Sequence, residues 1–438
     1  MNVREIGRLL RSRKISCAER IEQTLADVSK RDAFRSLITI TEDQARREAV
    51  ERDDEFARGI DRGPFHGVPI AYKDLFYTRG VGTTAGSLVF RDFIPDHDAT
   101  VVERLKAAGA ISIGKTNLHE LAYGVTSKNP HYGFVLNPRD PARIAGGSSG
   151  GSAALVAAAF LPMSLGTDTG GSIRIPASYC GIAGLKPTYG TVSRYGVLPL
   201  AFSLDHVGPL GSCVEDCALA MNAIVGPDFN LPALTNLSGI RVGVPKNFYF
   251  DRIDPEVAGA VHESISKMQR YGAIISEISV PNMEHANAAA RIIQMAETAA
   301  LYAHYTDPSL FGEDVWALIQ QGKMIAGHDY VNAQRVRTLF RRDFDALWRK
   351  IDILVTPTTP IAAPMITEDK VQIASVWEDT RMASTRLVRA INFIGEPALS
   401  IPCGNTAAGL PIGLQLIGAP FTEARLLQIA KTIEPLLA

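Results

Sequence analysis

Two glycine-flanked serine clusters carry the groups for acyl chemistry. They are Gly146-Gly147-Ser148-Ser149-Gly150-Gly151-Ser152 and Thr167-Asp168-Thr169-Gly170-Gly171-Ser172. A serine hydroxyl is a weak nucleophile until an adjacent base takes its proton. Lys73, inside the apolar segment Gly67–Phe76, is a candidate base. A lysine amine has a reference pKa of about 10.4, and burial lowers it because desolvation disfavours the cation. A second reading is a lysine at a strand end, its stem buried and its head in water. Thr169, Gly170, Gly171 and Ser172 also read two ways. Their amides suit an oxyanion at the start of a helix, where the dipole adds to the pull. They equally suit a tight turn with Ser172 as helix N-cap. On the residues alone both readings stay open.

Other motif matches fail on context. Gly109 to Thr116 fits the phosphate-loop pattern, but that loop must follow a strand. Here residues 110 to 113 lie inside the motif and are themselves the expected strand. A nucleotide- or phosphate-binding protein using 109 to 116 is therefore the alternative from another class. Ser148 and Ser149 both satisfy G-x-S-x-G, but the nucleophile elbow needs a buried strand before it. Residues 136 to 145, rich in Pro and Arg, make a poor one. His119-Glu120 lacks the second histidine of a zinc helix, and the nine histidines show no metal-ligand spacing. His206 reads as a hydrogen-bonded structural residue.

The elements that must position these groups follow from periodicity. Residues 153 to 163 are unbroken apolar and predict a buried helix leading into a strand. Segment 67 to 76 predicts a strand, 98 to 108 a helix, 110 to 113 a strand and 116 to 122 a helix. This recurrence points to an α/β fold, a sheet with helices on its faces. Ser16 with Glu19, and Thr41 with Gln44, are capping-box pairs opening helices. Val3, Ile6 and Leu10 mark the inward face of a first helix. Strands are expected at 240–245, 274–279, 352–356, 398–401 and 412–417, with a helix from Asp254 to Arg270. Thr422 caps a last helix. Residues 283–350 show only helical periodicity and predict a helical insert. The chain is expected to be one domain over 1–438, with N-terminal helices to about 60, a core over 61–226 and that insert.

The chain has 438 residues, 46% hydrophobic and 21% charged, with a formal net charge of −1. That balance favours neither nucleic acid nor an anionic membrane as partner. The longest apolar run is too short for a bilayer, which needs about 20 residues. Five scattered cysteines predict no disulfide framework and fit a reducing cytoplasm. Cys213 and Cys217 are expected on one helix face as buried small side chains.

The sequence resembles the amidase signature hydrolases. The resemblance rests on GGSSGGS (146–152), GTDTGGSIRIPASYCGIAGLKPTYG (166–190) and VPIAYKDLF around Lys73. Weaker matches are NLHELAYG (117–124), SLDHVGPL (203–210), TPTTPIAAP (356–364), PALSIPCG (397–404) and GLPIGLQLIG (409–418). The separation of Ser148 from Ser172 is the one the family pattern calls for. The resemblance implies the family's fold, a mixed central sheet covered by helices on both faces. It implies a Lys–Ser–Ser triad cleaving C–N bonds of amides through an acyl-enzyme, chemistry that carbamates or esters share. Ser172 would be the nucleophile, Ser148, after a cis peptide bond from Gly147, the proton relay, and Lys73 the base. Thr169, Gly170 and Gly171 would form the oxyanion hole, and Asp168 and Arg174 would brace the loop. No cofactor or metal is implied. The partner is a small-molecule amide, bound by a monomer or homodimer.

The family includes free-standing amidases and the glutaminase subunit of a tRNA-dependent amidotransferase. Ile175 stands where that subunit usually has Gln, and residues 198–207 differ from its F-A-S-S-L-D-Q pattern. Segment 283–350 also lacks its usual tyrosine and glycine pattern. These differences favour a stand-alone amidase. Tyr123, Tyr132, Phe134, Tyr302, Trp316 and Trp377 are aromatics that line an acyl pocket or fill the core, the core reading being favoured.

Overall fold

The computed structural model describes residues 1–31 and 33–437. An eleven-stranded mixed sheet runs through it. In chain order its strands are β1 (Leu37–Ile40), β2 (Pro69–Lys73), β3 (Ile111–Thr116), β4 (Met163–Asp168), β5 (Ala183–Lys186), β6 (His206–Gly211), β7 (Arg241–Pro245), β8 (Ile274–Ile278), β9 (Ile353–Pro357), β10 (Ala398–Asn405) and β11 (Pro411–Gly418). Their spatial order is 1-3-2-4-6-5-10-11-9-7-8. The middle of the sheet is buried on both faces, so its strands read as apolar runs and not as alternation. β2 lies parallel to both β3 and β4, with Tyr72 opposite Leu165. β4 and β6 are antiparallel, with His206 opposite Asp168. Lys73 and Asp168 therefore emerge at the same edge, where parallel strands of α/β sheets present ligand sites.

The N-terminal elements form as their sequences direct. Ser16 and Glu19 exchange the two hydrogen bonds of a capping box, at 3.0 and 2.8 Å, ahead of the helix Cys17–Arg31. Val3, Ile6 and Leu10 are buried on the helix Val3–Arg11. Thr41 does not cap. Its hydroxyl donates to the Ser112 carbonyl instead, because the β1–β3 ladder draws it in. Cys213 also sits outside its expected helix, as the N-cap residue before Val214–Ile224, while Cys217 is buried within it. The Thr422 hydroxyl donates to the Ala419 carbonyl just ahead of the final helix Glu423–Leu437.

The helix expected at 116–122 is absent. β3 continues through Lys115 and Thr116, in register with Tyr72 and Lys73. The Asn117 side-chain amide then donates to the carbonyls of Arg35 and Gly133, tying the chain down beyond the strand. Only one tight turn forms, over Glu120–Ala122, with Leu121 and Ala122 at φ of 50° and 58°. Residues 283–350 are helical as expected, in Met283–Tyr302, Glu313–Lys323 and Gly327–Trp348. Ala286, Ile293 and Phe344 of this region pack in one apolar cluster with Leu387, Ile391 and Phe393. The helices thereby lie against the short helix Arg389–Ile394. Among the described residues no helix is long and apolar enough to cross a membrane.

Candidate active site

The apolar helix Gly150–Ala157 begins within the first serine cluster and returns the chain to β4. Its N-terminus reaches the sheet edge, and Ser148 and Ser149 fall beside the end of β2. Close approach explains the glycines. A Cβ on Gly166 would come within 2.7 Å of the Ser149 Oγ. Gly171 has φ +117°, and a Cβ there would meet Val388 Cγ2 at 2.4 Å. Both are positions where only glycine fits without displacement. The peptide between Gly147 and Ser148 is cis.

Lys73 is fully buried, with its Nζ in hydrogen-bonding distance of three hydroxyls: Ser148 Oγ at 2.7 Å, Ser149 Oγ at 3.0 Å and Thr167 Oγ1 at 2.8 Å. The reading of Lys73 as a strand-end lysine with its head in water fails. Burial drops its pKa to about 7, although Asp168 and Asp205 pull the other way. Ser149 Oγ donates onward to the Thr167 carbonyl at 3.1 Å. Sequence reasoning gives no role in the site to Ser149 or Thr167. The signal for both is their place in the two serine clusters, next to the candidate triad residues.

The second cluster follows β4. Its helix, Arg174–Cys180, takes Ile173 and not Ser172 as N-cap, so the capping reading of Ser172 fails. Ser172 is 4% exposed, and its carbonyl accepts from the Ser149 amide at 3.2 Å. The two serine clusters thus lie side by side. Among the described residues the Ser148 and Ser172 hydroxyls make no hydrogen bond to each other.

The Asp168 carboxylate organises the turn. Oδ1 accepts from the Gly171 amide at 2.7 Å and Oδ2 from the Ile173 amide at 3.1 Å. Arg174 clamps both oxygens, from Nε at 3.0 Å and Nη2 at 3.1 Å. Asn392 donates to Oδ1 at 2.8 Å, and Gln415 accepts from Arg174 at 2.7 Å. Burial alone would raise the Asp168 pKa. The Arg174 guanidinium, together with Lys186 and the Asn392 hydrogen bond, outweighs it and holds the carboxyl well below the usual range. Because its amide serves Asp168, Gly171 is not a free oxyanion donor. The amides of Thr169, Gly170 and Ser172 donate to no group among the described residues. The Thr169 hydroxyl is held by Asp205 at 2.6 Å. Sequence reasoning also misses Asn392 and Gln415, which lie far along the chain from Asp168.

His206 is buried, with Nδ1 2.7 Å from the Leu204 carbonyl, and burial pushes its pKa down. It faces backbone, as expected of a structural residue. Lys115 of the phosphate-loop match is fully buried on β3, bonded to the Phe76 carbonyl and paired with Asp74 at 3.1 Å. It has no access to a phosphate. Among the described residues no cluster of His, Cys, Asp or Glu fits a metal ion.

A crevice beside Ser172 is lined by Thr169, Gly170, Gln294, Arg381, Thr385 and Arg389. It shares Gln294, Arg381 and Arg389 with a cavity of about 280 Å³, which Tyr123 also lines. Thr169 and Ala122 border a second cavity, of about 410 Å³, extending toward Leu198 and His206. Of the other aromatics, Phe134 lines a further cavity that shares Gly124, Val125 and Arg381 with the Ser172 crevice, Tyr302 is buried in the core and Trp377 is 65% exposed.

The chain matches the family model Amidase over residues 19–427. It is 39% identical to a glutamyl-tRNA(Gln) amidotransferase subunit of Moorella thermoacetica, over 99% of this chain and 96% of that protein. A crystal structure described as an amidase superposes with a TM-score of 0.95 at 34% identity, covering all of both chains. The corresponding amidotransferase subunit of Thermotoga maritima superposes at 0.81 with 31% identity, covering 99% of this chain and 94% of that one. This chain belongs to the amidase family and is an enzyme acting on the carbon–nitrogen bond of amides.

Proposed function

We propose that Ser172 is the nucleophile of an amide hydrolysis in which Lys73 is the base and Ser148 the proton relay. The observation that carries this reading is the buried Lys73 amine 2.7 Å from the Ser148 hydroxyl. Uncharged Lys73 accepts the Ser148 proton as Ser148 accepts that of Ser172, and Ser172 Oγ bonds to the amide carbon. Hydrogen bonds between catalytic groups are often long before substrate binds, so the Ser148–Ser172 link closes in the complex. The oxyanion meets the amides of Thr169, Gly170 and Ser172. The proton returns to the nitrogen, the C–N bond breaks and the amine leaves. Water then cleaves the acyl ester by the reverse relay. Asp168 and Arg174 keep the turn in place and touch no reacting atom.

The curated relatives favour glutamine as the amide, with this chain as the ammonia-releasing component of an amidotransferase. Three local sequence differences point to a stand-alone enzyme. They weigh less than 39% identity spread over 99% of the chain. The stand-alone reading keeps one specific support: the TM-score of 0.95 against an amidase, beside 0.81 against an amidotransferase component. Ammonia release from glutamine, measured for the chain alone and with the other components of an amidotransferase, separates the two. Turnover alone with no gain from partners sinks the amidotransferase reading. Ser172→Ala is the control, and full turnover in that variant sinks both.

A further inference from the structure

Three arginines crowd the far side of the Ser172 crevice. Arg389 and Arg381 line it, and Arg291 joins them in the adjoining 280 Å³ cavity. They come from three helices, Met283–Tyr302, Thr380–Thr385 and Arg389–Ile394. Arg389 is 7% exposed, and its Nη2 donates to Thr385 Oγ1 at 3.0 Å. Its Nε is buried without a partner. A Cβ placed on Gly170 would stand 3.7 Å from that Nε and 4.0 Å from Gln294 Oε1. The guanidinium therefore sits directly over the turn that carries Ser172.

A buried guanidinium without a counter-charge is costly. The charges that bear on Arg389 add to the cost, since Arg381 and Arg291 are both cationic. Arg381 donates to the Tyr123 carbonyl at 3.2 Å and lies over the Tyr123 ring. Asp314 and Asp379 are the carboxylates that act on it, and Glu313, Glu368 and Asp369 line the same outer cavity as Arg381. Asp379 is engaged in capping, accepting from the Met382 amide, and Asp314 accepts from His119. No Asp or Glu lines the crevice at Ser172 among the described residues.

We propose that Arg389 and Arg381 form a subsite for a carboxylate on the acyl part of the substrate, so that the enzyme takes short amides bearing that group. The fork of a guanidinium matches a carboxylate with two parallel hydrogen bonds. The subsite rests on the reading of Ser172 as nucleophile only for its orientation. The anion site itself stands on the arginines.

The test uses glutaramate, which has a primary amide and a carboxylate, and butyramide, which has the amide alone. Glutarate, the product acid of glutaramate, reports binding to the Ser172→Ala protein by calorimetry. The expected result is a kcat/KM for glutaramate at least about 100-fold above that for butyramide, with measurable glutarate binding. Arg389→Met lowers the glutaramate-to-butyramide ratio and the glutarate affinity at least tenfold, and Arg389→Lys recovers part of both. Arg381→Met, at a half-buried position, does the same more weakly and serves if Arg389→Met fails to fold. Equal hydrolysis of the two amides with no glutarate binding overturns the subsite and leaves the hydrolase intact. Glutarate binding that depends on Arg389 in a chain that hydrolyses neither amide does the reverse.

Discussion

Lys73 and Lys115 sit on adjacent parallel strands, one position out of register, and both are fully buried. Burial drives both amines down. Their partners differ. Lys115 faces the Asp74 carboxylate at 3.1 Å and the Thr83 hydroxyl at 2.6 Å. Lys73 faces three hydroxyls and no carboxylate within bonding distance. A carboxylate favours the ammonium form, whereas hydroxyls serve the amine and the ammonium alike. One fold thus turns the same side chain into a structural cation at one position and a titrating amine at the next strand.

Substitution with methionine breaks this comparison most strongly. Lys73→Met removes the base, and kcat should fall by at least about 10³-fold in an amide hydrolysis assay. Its stability should move the other way. The native Lys73 pKa of about 7 lies below the ordinary lysine value of 10.5, so between these pH values the unfolded chain binds a proton the native one does not. Stability then rises with pH across that window, and at neutral pH the lysine is a cost. A melt of Lys73→Met at pH 7 should match or exceed the parent, and a large fall would contradict an uncharged amine.

Lys115→Met should behave in the opposite manner. It leaves Asp74 buried with no cation, a change that costs about 3–5 kcal/mol. Denaturant unfolding reads this directly, and an unchanged midpoint would show the pair to be dispensable. Ser149→Ala is the finest cut. It leaves Lys73 with two hydroxyls and removes a bond to the Thr167 carbonyl. The loss is about 1 kcal/mol, roughly fivefold in kcat if Ser149 only positions the amine. A loss as large as that of Ser148→Ala would make Ser149 the relay.

Much of this contrast was legible in the sequence. Lys73 stands out because a charge interrupts an apolar strand, and the two serine clusters stand out by their glycines. The helical character of 283–350 and the strands around it were also readable, since long periodic segments declare themselves. The turn at 117–122 was not. There Asn117 bonds to Arg35 and Gly133, carbonyls from elsewhere in the chain, and tertiary ties override a helical pattern. Ser149 and Thr167 were hidden because a hydroxyl at a helix start or strand end has an adequate local explanation. Arg381, Arg389, Asn392 and Gln415 were hidden for a different reason. Only the strand order, which seats β10 beside β5 and β11 beside β10, brings that part of the chain against residues 168 to 174.

The central claim is that an uncharged Lys73 drives Ser172 through Ser148. Its most direct test is the rate at which a fluorophosphonate labels the protein, followed from pH 5 to 9 with peptide mapping, which needs no knowledge of the substrate. The account predicts label on Ser172, a rate that climbs through about pH 7 to a plateau as the amine loses its proton, and no such climb in Lys73→Met. Label on Ser148 or Ser149, or the same pH profile in Lys73→Met, would contradict it.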